Sequence, residues 1–329
     1  MTTPRTPHTP WAHVARLGVA LAAIVTVVVI AFLWPSVTAS AHGLPIAITG
    51  PGAQVSAVEA AITKASPDTF AFTTVSDRAA AVKRIEQRKD YGAIVLGAVP
   101  EVLTSSAANP TVAQLLDTTL APSLHATTKD VVPLASTDPR GSTIGAASFP
   151  MVLGGILGGA LIAVVIVGVW RRVIALGIYA VIGSAAITGV LQGWFGGLQG
   201  NYFFNAGAIA LVLLGIGGTM LGLAALVGRA GIVIGPVLFL LGANPISAAA
   251  IPVEFIAAPW GAVGQWFPPG AGSTLLRELS YFPKADLAFP WLVITGWAVL
   301  GLALSLIGHL RNSGAASRAA EAEAGEASN

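Results

Sequence analysis

The chain has 329 residues, of which 54% are apolar and only 10% are charged. A composition this apolar excludes an ordinary soluble domain and indicates a membrane protein. The formal net charge is +2 and the basic residues are spread along the chain, which argues against a nucleic-acid partner. Because the chain has no cysteine, disulfides, thiolate metal sites and a cysteine nucleophile are all excluded.

The first apolar stretch, over residues 14–34, is long enough to cross about 30 Å of hydrocarbon at 1.5 Å per residue. Arg5 and Arg16 lie near its start, so we predict transmembrane helix 1 at 14–34 and a cytoplasmic N-terminus over 1–13. A cleaved signal peptide is the competing interpretation, because Ala39-Ser40-Ala41 has the small residues of a cleavage site. The apolar run exceeds the signal-peptide core of about 7–15 residues, which favours a retained anchor.

Charged residues return between positions 35 and 147, where short apolar alternations replace the long apolar runs. Strand-like and helix-like spacings alternate there, which is typical of βαβ units in a largely parallel sheet. We therefore predict an extracytoplasmic α/β domain over 35–147. Its predicted strands are Ile46–Thr49, Thr69–Val75 and Tyr91–Leu96; its helices follow Val55 and Asp77 and cover Val112–Leu124, with Lys83, Arg84, Arg88 and Lys89 facing water.

Nearly continuous apolar runs predict a five-helix transmembrane bundle over 148–310. The expected fold is thus a membrane all-α bundle of six transmembrane helices, with the extracytoplasmic α/β domain inserted between helices 1 and 2. Basic residues favour one side, so we expect a multi-pass protein of the cell (plasma) membrane with both termini cytoplasmic. The tail over 311–329 is expected to be disordered. The five predicted spans are about 149–170, 173–193, 204–228, 230–250 and 287–310.

Two features of the C-terminal half attract functional interest. Prolines interrupt the predicted fifth span, and the stretch after it is too apolar for a loop and too rich in proline for a straight helix, which predicts an outer re-entrant segment over 246–276. Glu254 is an ionisable group beside the spans, either a functional carboxylate or one at headgroup level. The candidate functional residues are Asn244, Pro245, Glu254, Trp260, Trp266 and Pro268, with the tryptophans equally suited to anchoring at the interface.

Glycines in the second predicted span are spaced for close helix packing. Gly154, Gly155, Gly158 and Gly159 form two overlapping small-xxx-small pairs, which allow another helix backbone to approach within lipid.

The sequence offers little for catalysis. It contains no Gly-Lys dipeptide and hence no G-x-x-x-x-G-K-[ST] phosphate loop. The five histidines have no partner at metal-ligand spacing, and residues 173–228 contain no acidic or basic side chain from which to build a proton relay. We expect no enzyme activity, no cofactor and no metal site in this chain.

Two groups of residues and the order of the elements carry a resemblance to a known family. Ala79-Ala80-Ala81-Val82, followed by Ile85 and Tyr91-Gly92-Ala93-Ile94-Val95-Leu96, looks like a helix-then-strand element of the ABC type-2 exporter permeases, including their phage-infection-protein-like branch. The order of span, domain and further spans resembles the same family. Its outer segment before the last helix is similar to Asn244-Pro245-Ile246-Ser247, Pro259-Trp260-Gly261 and Gln265-Trp266-Phe267-Pro268-Pro269-Gly270.

The resemblance implies a function and partners. The chain would be the transmembrane permease subunit of an ABC-type exporter that moves a hydrophobic or amphipathic substrate outward, with a second six-helix half as homodimer or heterodimer, a separate ABC ATPase subunit, and membrane lipids around it. The family's contact with the ATPase would fall at Trp170, Arg171 and Arg172, where the turn is shorter than the family's coupling segments. The alternative is a non-transporting anchor or scaffold whose outer domain binds a partner or a cell-envelope component.

Overall fold

The computed structural model describes residues 9–327, and residues 1–8, 328 and 329 lie outside the described part. An α/β domain lies between the first and second long apolar helices. Its five-stranded sheet has the order β2-β1-β3-β4-β5, in which only the β3–β4 pair is antiparallel. The strands are β1 (Leu44–Thr49), β2 (Phe70–Thr74), β3 (Gly92–Val95), β4 (Glu101–Thr104) and β5 (Thr127–Asp130).

Helices cover both faces of this sheet because β1 and β3 are apolar on each face. Ile46, Ile48 and Ile94 are buried with α2 (Gly52–Ala65) on one face, whereas Ala47 and Ala93 pack with α3 (Arg78–Glu86) on the other. Asp77 caps α3 by accepting a hydrogen bond from the Ala80 amide at 2.8 Å. A further helical stretch closes the domain; it consists of α4 (Pro110–Leu115), a π-helical turn (Leu116–Leu120) and α5 (Ala121–Ser123).

The three predicted strands and the helices between them are confirmed, but the sequence analysis missed β4 and β5. β5 has the sequence Thr-Thr-Lys-Asp and is exposed along its whole length, so it carries no apolar alternation to detect. β4 follows Pro100 directly and has only four residues. Both strands are held by backbone pairing to their neighbours, which a hydrophobic pattern does not reveal.

Within the described residues, five helices are long and apolar enough to cross a membrane. This confirms a multi-pass membrane protein but corrects the expected number of six long spans. The predicted span over 230–250 is instead a shorter apolar helix, Ala230–Ala243, about 21 Å long. It contains Pro236 and ends before Asn244-Pro245. The five long candidates are Trp11–Val37, Thr143–Val165, Val169–Trp194, Tyr202–Val227 and Ala288–Arg311.

Outside the α/β domain, the helical elements in chain order are α1 (Trp11–Val37), α6 (Thr143–Val165), α7 (Val169–Thr188) with a π-helical turn (Gly189–Trp194), α8 (Tyr202–Val227), α9 (Arg229–Pro236) with a π-helical turn (Val237–Ala243), a 3₁₀ turn (Val253–Phe255), α10 (Trp260–Gly264), α11 (Pro268–Tyr281) and α12 (Ala288–Ala327). Helix α12 therefore continues into the tail expected to be disordered. That tail is rich in alanine and glutamate, which are strong helix formers.

Helix α8 is the centre of the bundle, and α6, α7 and α12 pack around it. Glycines set the close approach, as the small-xxx-small spacing predicts: a Cβ at Gly155 would lie 2.8 Å from Ile216 Cβ, and one at Gly159 would lie 2.7 Å from Gly217 O. Gly154 and Gly158 instead face Tyr179, whose hydroxyl donates to Gly154 O at 2.8 Å.

Helix α1 stands at the edge of the bundle. The most apolar part of this helix is not buried by the rest of the chain, whereas the other four long helices are each partly buried. Its C-terminal end makes the contacts: Pro35 is buried, and the rings of Phe32 and Phe149 lie 6.0 Å apart, edge to face. We infer that the exposed apolar side chains of this helix contact lipid.

The α8–α12 contact generates a prediction about stability. A Cβ at Gly301 would collide with the backbone of Gly218 and Thr219, so Gly301→Ala should lower the free energy of unfolding by about 1–3 kcal/mol. Gly296 lies on the same helix with open space around its Cα, so Gly296→Ala is the matched control and should not destabilise the protein. Thermal unfolding of the detergent-solubilised variants measures both, and equal midpoints would contradict the packing described.

Candidate functional site

The candidate site is the junction where the α/β domain meets the bundle, and it is organised by α11. Two prolines begin this helix at Pro268, where a missing amide hydrogen costs nothing. Its first turns pack on the bundle, with Gly272 close to Val212 of α8. Its last turn is polar and contacts the α/β domain instead. Helix α11 therefore touches both halves of the molecule.

An ion pair joins the turn that follows α3 of the domain to this last turn. Arg88 Nη1 donates to Glu278 Oε1 at 3.0 Å and lies 3.5 Å from Thr274 O. The side chains retain only 18% and 11% of their accessible surface. Burial raises the pKa of Glu278, and the neighbouring Arg88 guanidinium opposes that shift only in part. Removing Arg88 would therefore leave the Glu278 carboxylate buried without a compensating charge and lower the stability of the fold.

A second contact joins the start of β3 to the 3₁₀ turn of the outer segment. The Tyr91 hydroxyl donates to Glu254 Oε2 at 2.8 Å. Burial, and then the negative charge of Glu254, raise the pKa of the Tyr91 phenol, so it remains a donor at neutral pH. The backbone of the same turn accepts amide hydrogen bonds from Ser40 and His42, each 3.2 Å long. The turn is thus tied to both the sheet and the chain that enters it.

Arg277 is a buried charge of the junction, with 5% of its surface exposed. Its guanidinium donates to Ala249 O at 3.1 Å and to Ala107 O at 3.4 Å. Burial, with a smaller contribution from the positive charge of Arg88, lowers the pKa of Arg277 to about 10. One side chain therefore connects α11, the segment after the π-helical turn, and the loop after β4.

Apolar contact and a peripheral ion pair complete the junction. Phe282 is fully buried in a cluster with Ala107 and Ala108 of the domain. Lys284 Nζ lies 2.7 Å from Glu86 Oε2 in a pair exposed to solvent, which contributes little. The specific contacts of the junction are therefore those of the Glu278 and Glu254 carboxylates, of Arg277 and of Phe282.

A cavity of about 290 Å³ lies within the junction. It is lined by residues of both charges. Arg88 pairs with Glu278, and Tyr91 with Glu254, across the two halves. Thr274 pairs with Gln265 at 2.7 Å within the helical half. Among the described residues there is no group of three or more metal-ligating side chains. This arrangement joins two structural units.

The structure distributes the predicted candidate residues over several places. Glu254 belongs to the junction, whereas Pro268 begins α11 and packs close to Gly215 of α8 in the bundle. Pro245 and Trp260 line a separate apolar cavity between α1 and the second π-helical turn of the bundle, and Asn244 immediately follows that turn. Trp266 is 63% exposed; its ring meets Phe289 edge to face at 5.0 Å, and its carbonyl accepts from Trp297 Nε1 at 2.8 Å.

The predicted ATPase contact lies at the opposite end of the bundle. Trp170 and Arg171 are exposed there. Arg172 is occupied, because its guanidinium donates to Ile166 O at 2.7 Å and to Ala163 O at 2.8 Å and so caps the C-terminus of α6. The structure therefore leaves two of the three residues accessible.

Sequence reasoning missed four residues of the junction. Arg88 was expected to face water, which is wrong. Its own backbone is left-handed, with φ +55°, and this turns the chain after α3 so that the side chain packs against α11. Tyr91 was assigned only to a strand. Arg277-Glu278 is a pair of opposite charges at the end of an apolar, proline-rich stretch, and this was the available signal.

No protein-family model, curated protein or solved structure matches this chain. The fold and the junction themselves define its class, a multi-pass membrane protein with an α/β domain inserted after its first apolar helix and fastened to its bundle through α11.

The Arg88–Glu278 pair generates a second prediction. Arg88→Ala leaves Glu278 buried without its cation and should cost about 3 kcal/mol of stability. Lys89 is the matched control, because it is the adjacent basic residue and is exposed. Lys89→Ala should change the free energy of unfolding by no more than about 0.5 kcal/mol, as is usual for a surface substitution. Equal midpoints for the two variants, measured by thermal unfolding, would contradict a stabilising role of the pair.

The raised pKa of Glu278 generates a third prediction. A carboxyl whose pKa is higher in the folded than in the unfolded state contributes stability below the unfolded value, about 4.3, and loses it as pH rises through the folded value. Glu278→Gln removes this titration, so the difference in unfolding midpoint between wild type and variant should change with pH in that window. Asp68→Asn, at an exposed position, is the control. Parallel pH profiles for wild type and Glu278→Gln would contradict the assignment.

Proposed function

We propose that this chain is the transmembrane permease subunit of an ABC-type exporter. In this proposal it moves a hydrophobic or amphipathic substrate outward, and a separate ATPase subunit hydrolyses ATP. The motifs that resemble the ABC type-2 exporter permeases support it, as does the order of apolar helix, α/β domain and further apolar helices. The small number of charged residues in the bundle is compatible with lipid-like cargo.

The distribution of basic residues supports an orientation for this permease. Arg171, Arg172 and Arg229 lie near helix starts remote from the α/β domain, and Arg311 lies where the apolar span of α12 ends, on the same side. Positive charge favours the cytoplasmic side of short loops, so we place that end in the cytoplasm and the α/β domain outside. Both termini are then cytoplasmic in the plasma membrane, and membrane lipids surround the bundle.

The observation that carries the proposal is the junction. Export requires that a movement on the cytoplasmic side reaches the outer face. Helix α11 packs against α8 at one end and holds Arg88 and the Ala107 carbonyl of the domain at the other. A displacement of α8 therefore has a continuous packed route to the α/β domain.

The proposal also implies partners. Exporters of this class operate as two halves, so a second copy or a related half would complete the pathway. Trp170 and Arg171 are the accessible candidates for contact with the ATPase, since Arg172 caps α6. Nucleic acid is not among the proposed partners.

One observation favours the rival function of a membrane anchor or scaffold. Only Ile166, Val167 and Gly168 connect α6 to α7, and the positive φ of Gly168 makes this connection a tight turn. A turn this short offers an ATPase a small surface. In the rival function the α/β domain binds a partner or a cell-envelope component, and the bundle holds it at the membrane.

Reconstitution with candidate ABC ATPases tests the proposal. We expect a stable complex and severalfold stimulated ATP hydrolysis. Arg171→Glu should weaken both, because it reverses an exposed charge at the proposed contact. Arg140→Glu makes the same change at an exposed position beside the α/β domain and should have no effect. If the candidate ATPases neither bind nor respond, the exporter proposal is wrong and the scaffold remains.

A further inference from the structure

An apolar crevice lies between α6 and α7, at their ends nearest the α/β domain. It has a volume of about 590 Å³. One face of α6 lines it at the spacing i, i+3/4, i+7/8, and the facing side of α7 and its π-helical turn repeats that spacing. The lining side chains are uncharged: Ser142, Thr143, Ala146, Ala147, Pro150 and Met151 from the α6 side, and Ala186, Ile187, Val190, Leu191 and Phe195 from the α7 side.

Small side chains and a change of helix type produce this crevice. Ala146, Ala147 and Ala186 end at Cβ, so the two helices face each other there without filling the gap. The α-helix of α7 then becomes π-helical from Gly189 to Trp194, which shifts Val190 and Leu191 relative to a regular helix. Such π-helical insertions occur frequently at functional sites. The crevice is therefore a feature of the backbone as well as of side-chain size.

The crevice opens sideways into the membrane. Ala146, Pro150 and Ala186 are exposed on the outer surface of the bundle. Both helices are candidate membrane spans, so this surface faces hydrocarbon. The opening is thus continuous with the lipid-facing surface of α6 and α7, and lipid reaches it without crossing water.

The depth of the crevice in the membrane determines which part of a lipid molecule can occupy it. From Ser142 to Met151 the crevice follows α6 for about 13 Å, close to half of the roughly 30 Å hydrocarbon thickness. At its domain end lie the stacked rings of Trp194 and Phe195, and Trp194 is 80% exposed, as is typical of the headgroup interface. The Ser142 and Thr143 hydroxyls lie at the same end. The crevice therefore has a polar rim and the depth of a single leaflet.

We propose that this crevice is a binding site for one acyl chain of a membrane lipid from the leaflet adjoining the α/β domain. The uncharged walls exclude a charged occupant, and the polar rim allows the headgroup to remain at the interface. The site requires only that α6 and α7 lie in a membrane, so it holds for an exporter and for a scaffold alike.

Photolabelling in nanodiscs tests the site. The probe is a phosphatidylcholine with a diazirine midway along one acyl chain, and mass spectrometry maps the labelled residues. We expect labelling to concentrate on Met151 and Ile187, above Ile178, which is 56% exposed on the lipid-facing surface of the same helix pair. Uniform labelling of all lipid-facing residues would show bulk lipid only and overturn the proposal.

Filling the crevice separates specific from general contact. Ala186→Phe should lower labelling of Met151 and Ile187 about tenfold, the change that displacing roughly two methylene groups from an apolar site produces. Ala185→Phe adds the same ring at the neighbouring exposed position, outside the crevice, and should leave labelling unchanged. Unchanged labelling in Ala186→Phe overturns the proposal.

A second copy is the other possible occupant, and the same experiment detects it. If a neighbouring copy fills the crevice, wild-type Met151 and Ile187 are protected from the lipid probe, and cysteines introduced at Ala186 form disulfide-linked dimers. That outcome also overturns the lipid site. The wild-type labelling pattern decides the question even if Ala186→Phe does not fold.

Discussion

The structure depends on the burial of charge where the α/β domain meets the helices. A buried guanidinium is tolerated only when acceptors surround it, and Arg277 finds its acceptors in two separate parts of the chain, the Ala107 and Ala249 carbonyls. Glu278, next to it on α11, requires Arg88, which follows α3. Separating the two halves would leave these groups exposed or without hydrogen-bond partners. The contact therefore fixes the relative position of the two halves as well as stabilising them.

The bundle is held together by a different kind of contact. Lipid tails are as apolar as leucine, so the spans gain little from the hydrophobic effect and rely on close packing. Helix α8 meets this requirement with glycines facing α6 and α12, while Tyr179 bridges α6 and α7 through the Gly154 carbonyl. Where the small residues are alanines and the helix becomes π-helical, the same α6–α7 pair stays open and forms the apolar crevice. Residue size thus decides which helix faces close on each other and which admit lipid.

The amino-acid sequence predicted the parts of this molecule that repeat a pattern. Long apolar runs predicted the helices, and strand–helix alternation predicted β1, β2 and β3. The length of the helix Ala230–Ala243 was overestimated because apolar residues continue beyond its end. Pro236 and Asn244-Pro245 limit the length of this helix. Glu254 was singled out as an isolated charge and does lie in the junction. Its partner Tyr91 lies 163 positions away, and Arg88 lies 190 positions from Glu278; pairs this distant in a single sequence depend on the tertiary fold.

The central claim is that α11 fixes the α/β domain to the bundle in one arrangement. Because the chain has no cysteine, two spin labels can be introduced cleanly, at Lys64→Cys on the domain and Ile182→Cys on α7, both exposed positions. Pulsed electron paramagnetic resonance in nanodiscs then measures the distance between the labels. We expect one narrow distance distribution, which broadens when Arg88→Ala is added. A broad or multiple distribution with Arg88 intact would contradict this claim.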